Sequence, residues 1–117
     1  MQPIYVKTCR NSKLKEKIKL LNKILSCCVL CPRRCKVNRL EGERGFCGAG
    51  KDARVASSFA HFGEEKCLVG KYGSGTIFFS YCNLKCAFCQ NYELSHTAEG
   101  REVAPEGLAG LMLEASA

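Results

Sequence analysis

Between residues 12 and 26, Leu14, Ile18, Leu21 and Leu25 recur at intervals of four, three and four. That spacing puts apolar side chains on one face of an α-helix. Lysines occupy the other faces, and Asn11 or Ser12 offers an N-cap. A basic amphipathic helix can lie on a membrane surface, but a stripe of this width predicts packing on the chain's own core. Pro32 breaks any helix that follows, and the glycine-punctuated run from Gly42 to Gly50 reads as loop. Residues 53–60 and 66–72 read as short strands flanking Gly63-Glu64-Glu65, which predicts a hairpin. His61, beside that turn, reads as a surface or satisfied side chain. Residues 75–80, Gly-Thr-Ile-Phe-Phe-Ser, carry the strongest strand signal, being short, β-branched and aromatic. Their consecutive apolar residues predict a strand buried on both faces. Residues 105–116 read as a helix, with Pro105 at its first position, Glu106 at the positive end of the dipole, and Leu108, Leu111, Met112 and Ala115 as its stripe. Gly107 and Gly110 weaken it.

The chain has 117 residues. That suffices for a small domain with a modest core, but not for a complete (β/α) barrel, which needs roughly 200 residues or more. Three segments follow from the pattern: a basic N-terminal segment with the amphipathic helix (1–26), a Cys-rich module with a possible hairpin (27–72), and a strand, cysteine loop and helix (73–117). No apolar run approaches the ~20 residues that span a bilayer. Lys7 and Arg10 are not followed by the apolar stretch of a secretory signal. The expectation is a soluble, cytoplasmic protein without membrane contact. The net charge of +7 is uneven: residues 1–54 hold fourteen Lys or Arg and four acids, residues 55–117 four and seven. A basic half can mark nucleic acid or an acidic partner. Arg33, Arg34, Lys36, Arg39 and Arg44 lack an accompanying aromatic stacking series, which disfavours nucleic acid. The simpler expectation is a solvated basic face that offsets thiolate charge.

Ten cysteines shift the picture toward metal chemistry. In a secreted chain they would suggest disulfides, but the short C-x₂-C and C-x₃-C spacings suit ligation better. Cys82, Cys86 and Cys89 form a C-x₃-C-x₂-C triplet. Three thiolates at this spacing can hold three irons of a [4Fe–4S] cluster, leaving the fourth iron for chemistry. An upstream cysteine as fourth ligand stays open at this level. The triplet follows directly on the 75–80 strand, the strand end at which α/β folds place active sites. Upstream, Cys28, Cys31, Cys35 and Cys47 could form a four-thiolate site for zinc or a second iron–sulfur cluster, with Cys27 competing as first ligand. The alternative is that these are reduced, unligated thiols. Cys9 and Cys67 are isolated and read as ordinary side chains.

The run from Gly75 through Cys82, Cys86, Phe88 and Cys89 to Asn91 resembles the start of a radical S-adenosylmethionine enzyme. More narrowly, with Cys28-Val-Leu-Cys31-Pro32-Arg33-Arg34-Cys35 and Gly42-Glu43-Arg44-Gly45-Phe46-Cys47-Gly48, it resembles the pyruvate formate-lyase activating enzyme-like subgroup over roughly residues 27–115. The resemblance implies that Cys82, Cys86 and Cys89 ligate a [4Fe–4S] cluster whose open iron chelates S-adenosylmethionine. It also implies that Phe88 lines the adenine side. Reductive cleavage would give methionine and a 5′-deoxyadenosyl radical. An electron donor protein would serve the cluster, and the substrate would be a glycine of a glycyl-radical enzyme. The implied fold is α/β: the start of a partial (β/α) barrel preceded by a basic helix and a Cys-rich loop module. The family's remaining barrel strands and glycine-rich S-adenosylmethionine segment are missing, so the chain reads as a fragment whose activity alone is in question. Two other classes compete. One is a zinc-binding module contacting nucleic acid through Cys28-x₂-Cys31 and Cys86-x₂-Cys89, although the pairs are far apart for a usual zinc module. The other is a non-catalytic fragment.

Overall fold

The computed structural model describes residues 4–11 and 13–116. The chain divides into two compact units, Met1–Gly45 and Phe46–Ala117. The first begins with helices α1 (Ile4–Arg10) and α2 (Lys13–Ile24), followed by a 3₁₀ turn at Leu25–Cys27. The expected helix is therefore present, while α1 was not anticipated; of the two proposed caps, Ser12 lies outside the described residues. The apolar stripe does not pack as expected. No residue of α2 is buried, and Ile18 and Leu21 are exposed. The unit has little apolar material to cover them, because Val29, Leu30 and Leu40 are themselves exposed. What orders residues 28–43 is polar. The Cys28 amide donates to the Val37 carbonyl (3.0 Å) and the Lys36 amide to the Cys28 carbonyl (2.9 Å). The Asn38 side chain then caps a 3₁₀ turn at Arg39–Glu41 by accepting from the Leu40 amide.

The second unit is a three-stranded antiparallel sheet with α5 (Pro105–Glu114) packed on it. The mixed α/β class expected from the sequence holds at this level. Strand β1 (Ala53–His61) is central, flanked by β2 (Ser74–Phe79) and β3 (Arg101–Val103), both antiparallel to it. Two expectations are corrected here. Residues 66–72 are not a strand: Lys66–Val69 form the short helix α3, with the Leu68 and Val69 amides both donating to the Glu65 carbonyl. The hairpin partner of β1 is β2, which takes the β1 edge that a 66–72 strand would have needed. Strand β2 is also not buried on both faces. It is an edge strand, with Ile77 and Phe78 half-buried and Phe79 exposed, because its only sheet neighbour among the described residues is β1. Its apolar run reflects β-propensity more than double-sided burial.

A bulge at Ala56, between the Val55↔Phe79 and Ser57↔Phe78 pairs, bends β1. Beyond the bend β1 also pairs with β3, and there the small core sits around Val55 and Val103. Pro105 starts α5 as anticipated, and Gly107 lets the helix approach Val103, since a Cβ there would lie 2.9 Å from Val103 Cγ1. The turn before β3 is held by Arg54, whose Nε donates to the Glu99 carbonyl (3.0 Å) and Nη2 to the Gly100 carbonyl (2.8 Å). Gly100 has φ +76°, and a Cβ there would overlap the Val55 carbonyl oxygen. Gly100→Ala is therefore expected to lower unfolding stability by about 2 kcal/mol or more in urea titrations, combining left-handed strain with a backbone clash. Gly110→Ala, in open space on α5, is expected to raise it by up to about 1 kcal/mol.

Candidate functional site

The cysteine triplet occupies a loop that is tied down at both ends. At the exit of β2, buried Ser80 donates its amide to the Arg54 carbonyl (2.9 Å) and its hydroxyl to the Glu99 carbonyl (2.8 Å). The next amide, Tyr81, donates across the loop to the Leu94 carbonyl (2.7 Å) in the short helix α4 (Tyr92–His96). Between these anchors the backbone turns left-handed at Tyr81 (φ +77°) and Lys85 (φ +49°). For side-chain-bearing residues such turns cost roughly 1–2 kcal/mol each, and strain of this kind concentrates at functional loops. The segment around half-buried Cys47 borders the loop. Gly48 comes against the Tyr81 ring, where a Cβ would stand 3.0 Å from Cδ1 and Cε1, and Lys85 Nζ lies 5.6 Å from the Phe46 ring centroid.

Two of the three thiols receive directed donors. Cys82 Sγ accepts from the Leu84 amide at 3.4 Å. The Lys85 amide first, then the Leu84 amide and the Lys85 charge, hold the Cys82 thiol below its ordinary value against a smaller effect of burial. Half-buried Cys89 accepts from the Ser95 hydroxyl at 3.2 Å, and its own amide donates to the Cys86 carbonyl (3.2 Å). Cys86 is exposed, and Phe88 is 90% exposed. None of the ten cysteines is in a disulfide. Among the described residues no three His, Cys, Asp or Glu side chains are gathered around a point that could hold one metal ion. A single zinc draws its thiolates to about 2.3 Å, whereas a cluster carries each thiolate on its own iron and so takes a wider spread. Three thiols sit on one anchored loop, and two of them have N–H or O–H donors aimed at sulfur.

The upstream cysteines divide differently. Cys28, Cys31 and Cys35 belong to the first compact unit and Cys47 to the second. Burial pushes the Cys28 thiol up, but the Leu30 amide and the hydrogen bond and charge of Arg39 outweigh it and hold the thiol below its ordinary value. Cys31 and Cys35 are half-buried. Arg34 (φ +44°) and Lys36 (φ +59°), on either side of Cys35, are left-handed, so this run is as tightly wound as the triplet loop. Cys27, Cys9 and Cys67 are exposed.

Ser80, Ser95 and His96 were not singled out by the sequence. Ser80 follows the strand directly, a polar residue at the end of an apolar run. Ser95 and His96 carry no spacing signal, because their relation to Cys89 depends on the turn that α4 makes.

No family model matches the chain, and no solved structure matches it. It is similar to the uncharacterized protein MJ0674 of Methanocaldococcus jannaschii, with 46% identity over 79 residues. That match takes in 68% of this chain but 22% of the archaeal protein, so the chain spans about a fifth of the length of the curated relative it matches.

The donors around Cys82 predict that, in metal-free reduced protein, its iodoacetamide labelling has a pH midpoint below that of free cysteine. A depressed pKa places thiolate at lower pH, so labelling persists as pH falls toward neutrality. Peptide mass mapping across a pH series checks this, and a midpoint equal to that of free cysteine contradicts it.

Proposed function

We propose that Cys82, Cys86 and Cys89 ligate a [4Fe–4S] cluster in a radical S-adenosylmethionine protein of the pyruvate formate-lyase activating enzyme-like kind. The observation that carries this reading is the joint one: a C-x₃-C-x₂-C triplet of free thiols on a loop pinned at Ser80 and Tyr81, with donors directed at Cys82 and Cys89. Bound there, the cluster and S-adenosylmethionine would supply a reductively generated 5′-deoxyadenosyl radical for hydrogen abstraction, with a glycine of a glycyl-radical enzyme as the proposed target and an electron donor protein as reductant. The chain's own residues do the remaining work. Ser80 and Tyr81 fix where the loop leaves the sheet. The Leu84 and Lys85 amides and the Ser95 hydroxyl offset negative charge on sulfur, as hydrogen bonds to cluster thiolates do. Phe88 is exposed and free to cover the adenine of a bound nucleoside.

In this reading β2 is the strand that delivers the cluster loop of a barrel, with β1 as an antiparallel lead-in and α5 as a covering helix. Cys28, Cys31 and Cys35, all in the first unit, are proposed as ligands of a second site, for zinc or another iron–sulfur cluster. The low-lying Cys28 thiol favours ligation there, since a thiolate and not a thiol binds metal.

Protein purified without oxygen is expected to be brown and to contain about four irons and four sulfides for the triplet. Its visible spectrum should change on adding S-adenosylmethionine. Cys82→Ser, Cys86→Ser and Cys89→Ser should each remove most of that iron. Zinc without colour, in wild type as in the variants, would replace this reading with the zinc-module alternative.

A further inference from the structure

Ser95 is 7% exposed, and its hydroxyl has three neighbours: Cys89 Sγ at 3.2 Å, the Tyr92 carbonyl at 3.3 Å and His96 Nδ1 at 2.7 Å. A hydroxyl has one proton to give and two lone pairs to accept with. The His96 ring is held in place, stacked on Tyr92 with centroids 4.2 Å apart and planes at 10°. When Cys89 is a thiolate it is the strongest acceptor of the three, because hydrogen bonds to an ionised partner are roughly twice as strong as neutral ones. The Ser95 proton then points at sulfur. The short contact to His96 Nδ1 is satisfied only if that nitrogen carries a proton and donates to Ser95 Oγ. Ligation at Cys89 thus selects the His96 tautomer, and His96 in turn fixes the direction of the Ser95 hydroxyl.

We infer that Ser95 and His96 are positioning residues that form a donor relay, His96 Nδ1–H to Ser95 Oγ–H to Cys89 Sγ, and raise the reduction potential of the cluster held by the triplet. This rests on the cluster reading of Cys82, Cys86 and Cys89. The sign follows from charge: reduction adds an electron to the cluster, and a donor at a ligating sulfur stabilises the more negative state. Nothing in the spacing of the cysteines requires a hydroxyl here. Helix α4 brings it in, with the Ser95 amide bonded to the Asn91 carbonyl (3.0 Å) and the Leu94 carbonyl bonded to Tyr81.

The test is a redox titration of the reconstituted protein, read by the spectrum of the reduced cluster, in four forms: wild type, Ser95→Ala, Ser95→Thr and His96→Phe. Ser95→Ala should shift the reduction equilibrium toward the oxidised form by about three- to tenfold, a potential more negative by up to about 59 mV for one electron. Ser95→Thr keeps the hydroxyl and should stay close to wild type. His96→Phe keeps the stack on Tyr92 but removes the donor, so it should shift in the same direction by less than Ser95→Ala. Iron and sulfide are counted in every form. Normal iron in Ser95→Ala with a shift under threefold, or of opposite sign, overturns the relay and leaves the cluster reading standing. No cluster in wild type overturns both. If Ser95→Ala does not fold, His96→Phe carries the test, and an unchanged potential there overturns the relay.

Discussion

One carbonyl ties the second unit together. Glu99 O accepts from Arg54 Nε on β1 and from Ser80 Oγ at the end of β2, and it opens the turn that leads through Gly100 into β3. Arg54 returns the favour with its own carbonyl, which accepts the Ser80 amide. Three strands and the start of the cysteine loop thus meet at a node of four hydrogen bonds, counting Arg54 Nη2 to Gly100 O. The apolar core beside it is small, with Val55 and Val103 its buried members. In so little core, paired polar groups decide the geometry, since an unmet buried donor costs more than a met one contributes. Where the triplet sits relative to the sheet is a consequence of this node.

The loop itself shows a second constraint, that of negative charge on sulfur. As ligands, three thiolates within eight residues would repel unless donors surrounded them. The left-handed turn at Lys85 serves this need directly: it aims the Lys85 and Leu84 amides at Cys82. The same solution recurs at Cys28, where the Leu30 amide and Arg39 play the matching part. Two cysteine segments in different compact units therefore use amides and a nearby cation in similar ways.

Some of this was legible in the residue pattern. The helix at α2, the strands β1 and β2 and the Pro105 start of α5 follow from periodicity, β-branching and proline chemistry, all of them local effects. The failures were all questions of neighbours. The residues of 66–72 are compatible with a strand, but a strand needs a free edge, and β2 had taken that of β1. The apolar run of β2 suggested burial on both faces, yet burial depends on what lies above and below a strand. The α2 stripe predicted a core to pack on, and residues 28–45 supply too few covered apolar groups to make one.

The candidate site divides along the same line. The residue pattern alone determined the spacing of the triplet, cysteines at intervals of four and three residues on one short segment. It determined too that a strand leads into that loop and that an aromatic residue, Phe88, precedes the third cysteine. Which groups stand behind the sulfurs depends on contacts between distant parts of the chain. Ser95 reaches Cys89 because α4 turns the chain back, and Ser80 is buried because Glu99 comes from a distant part of the chain to meet it. The physical reason is range: the cysteine spacing is covalent and local, while the donors at those sulfurs arrive through hydrogen bonds between segments the sequence does not place side by side.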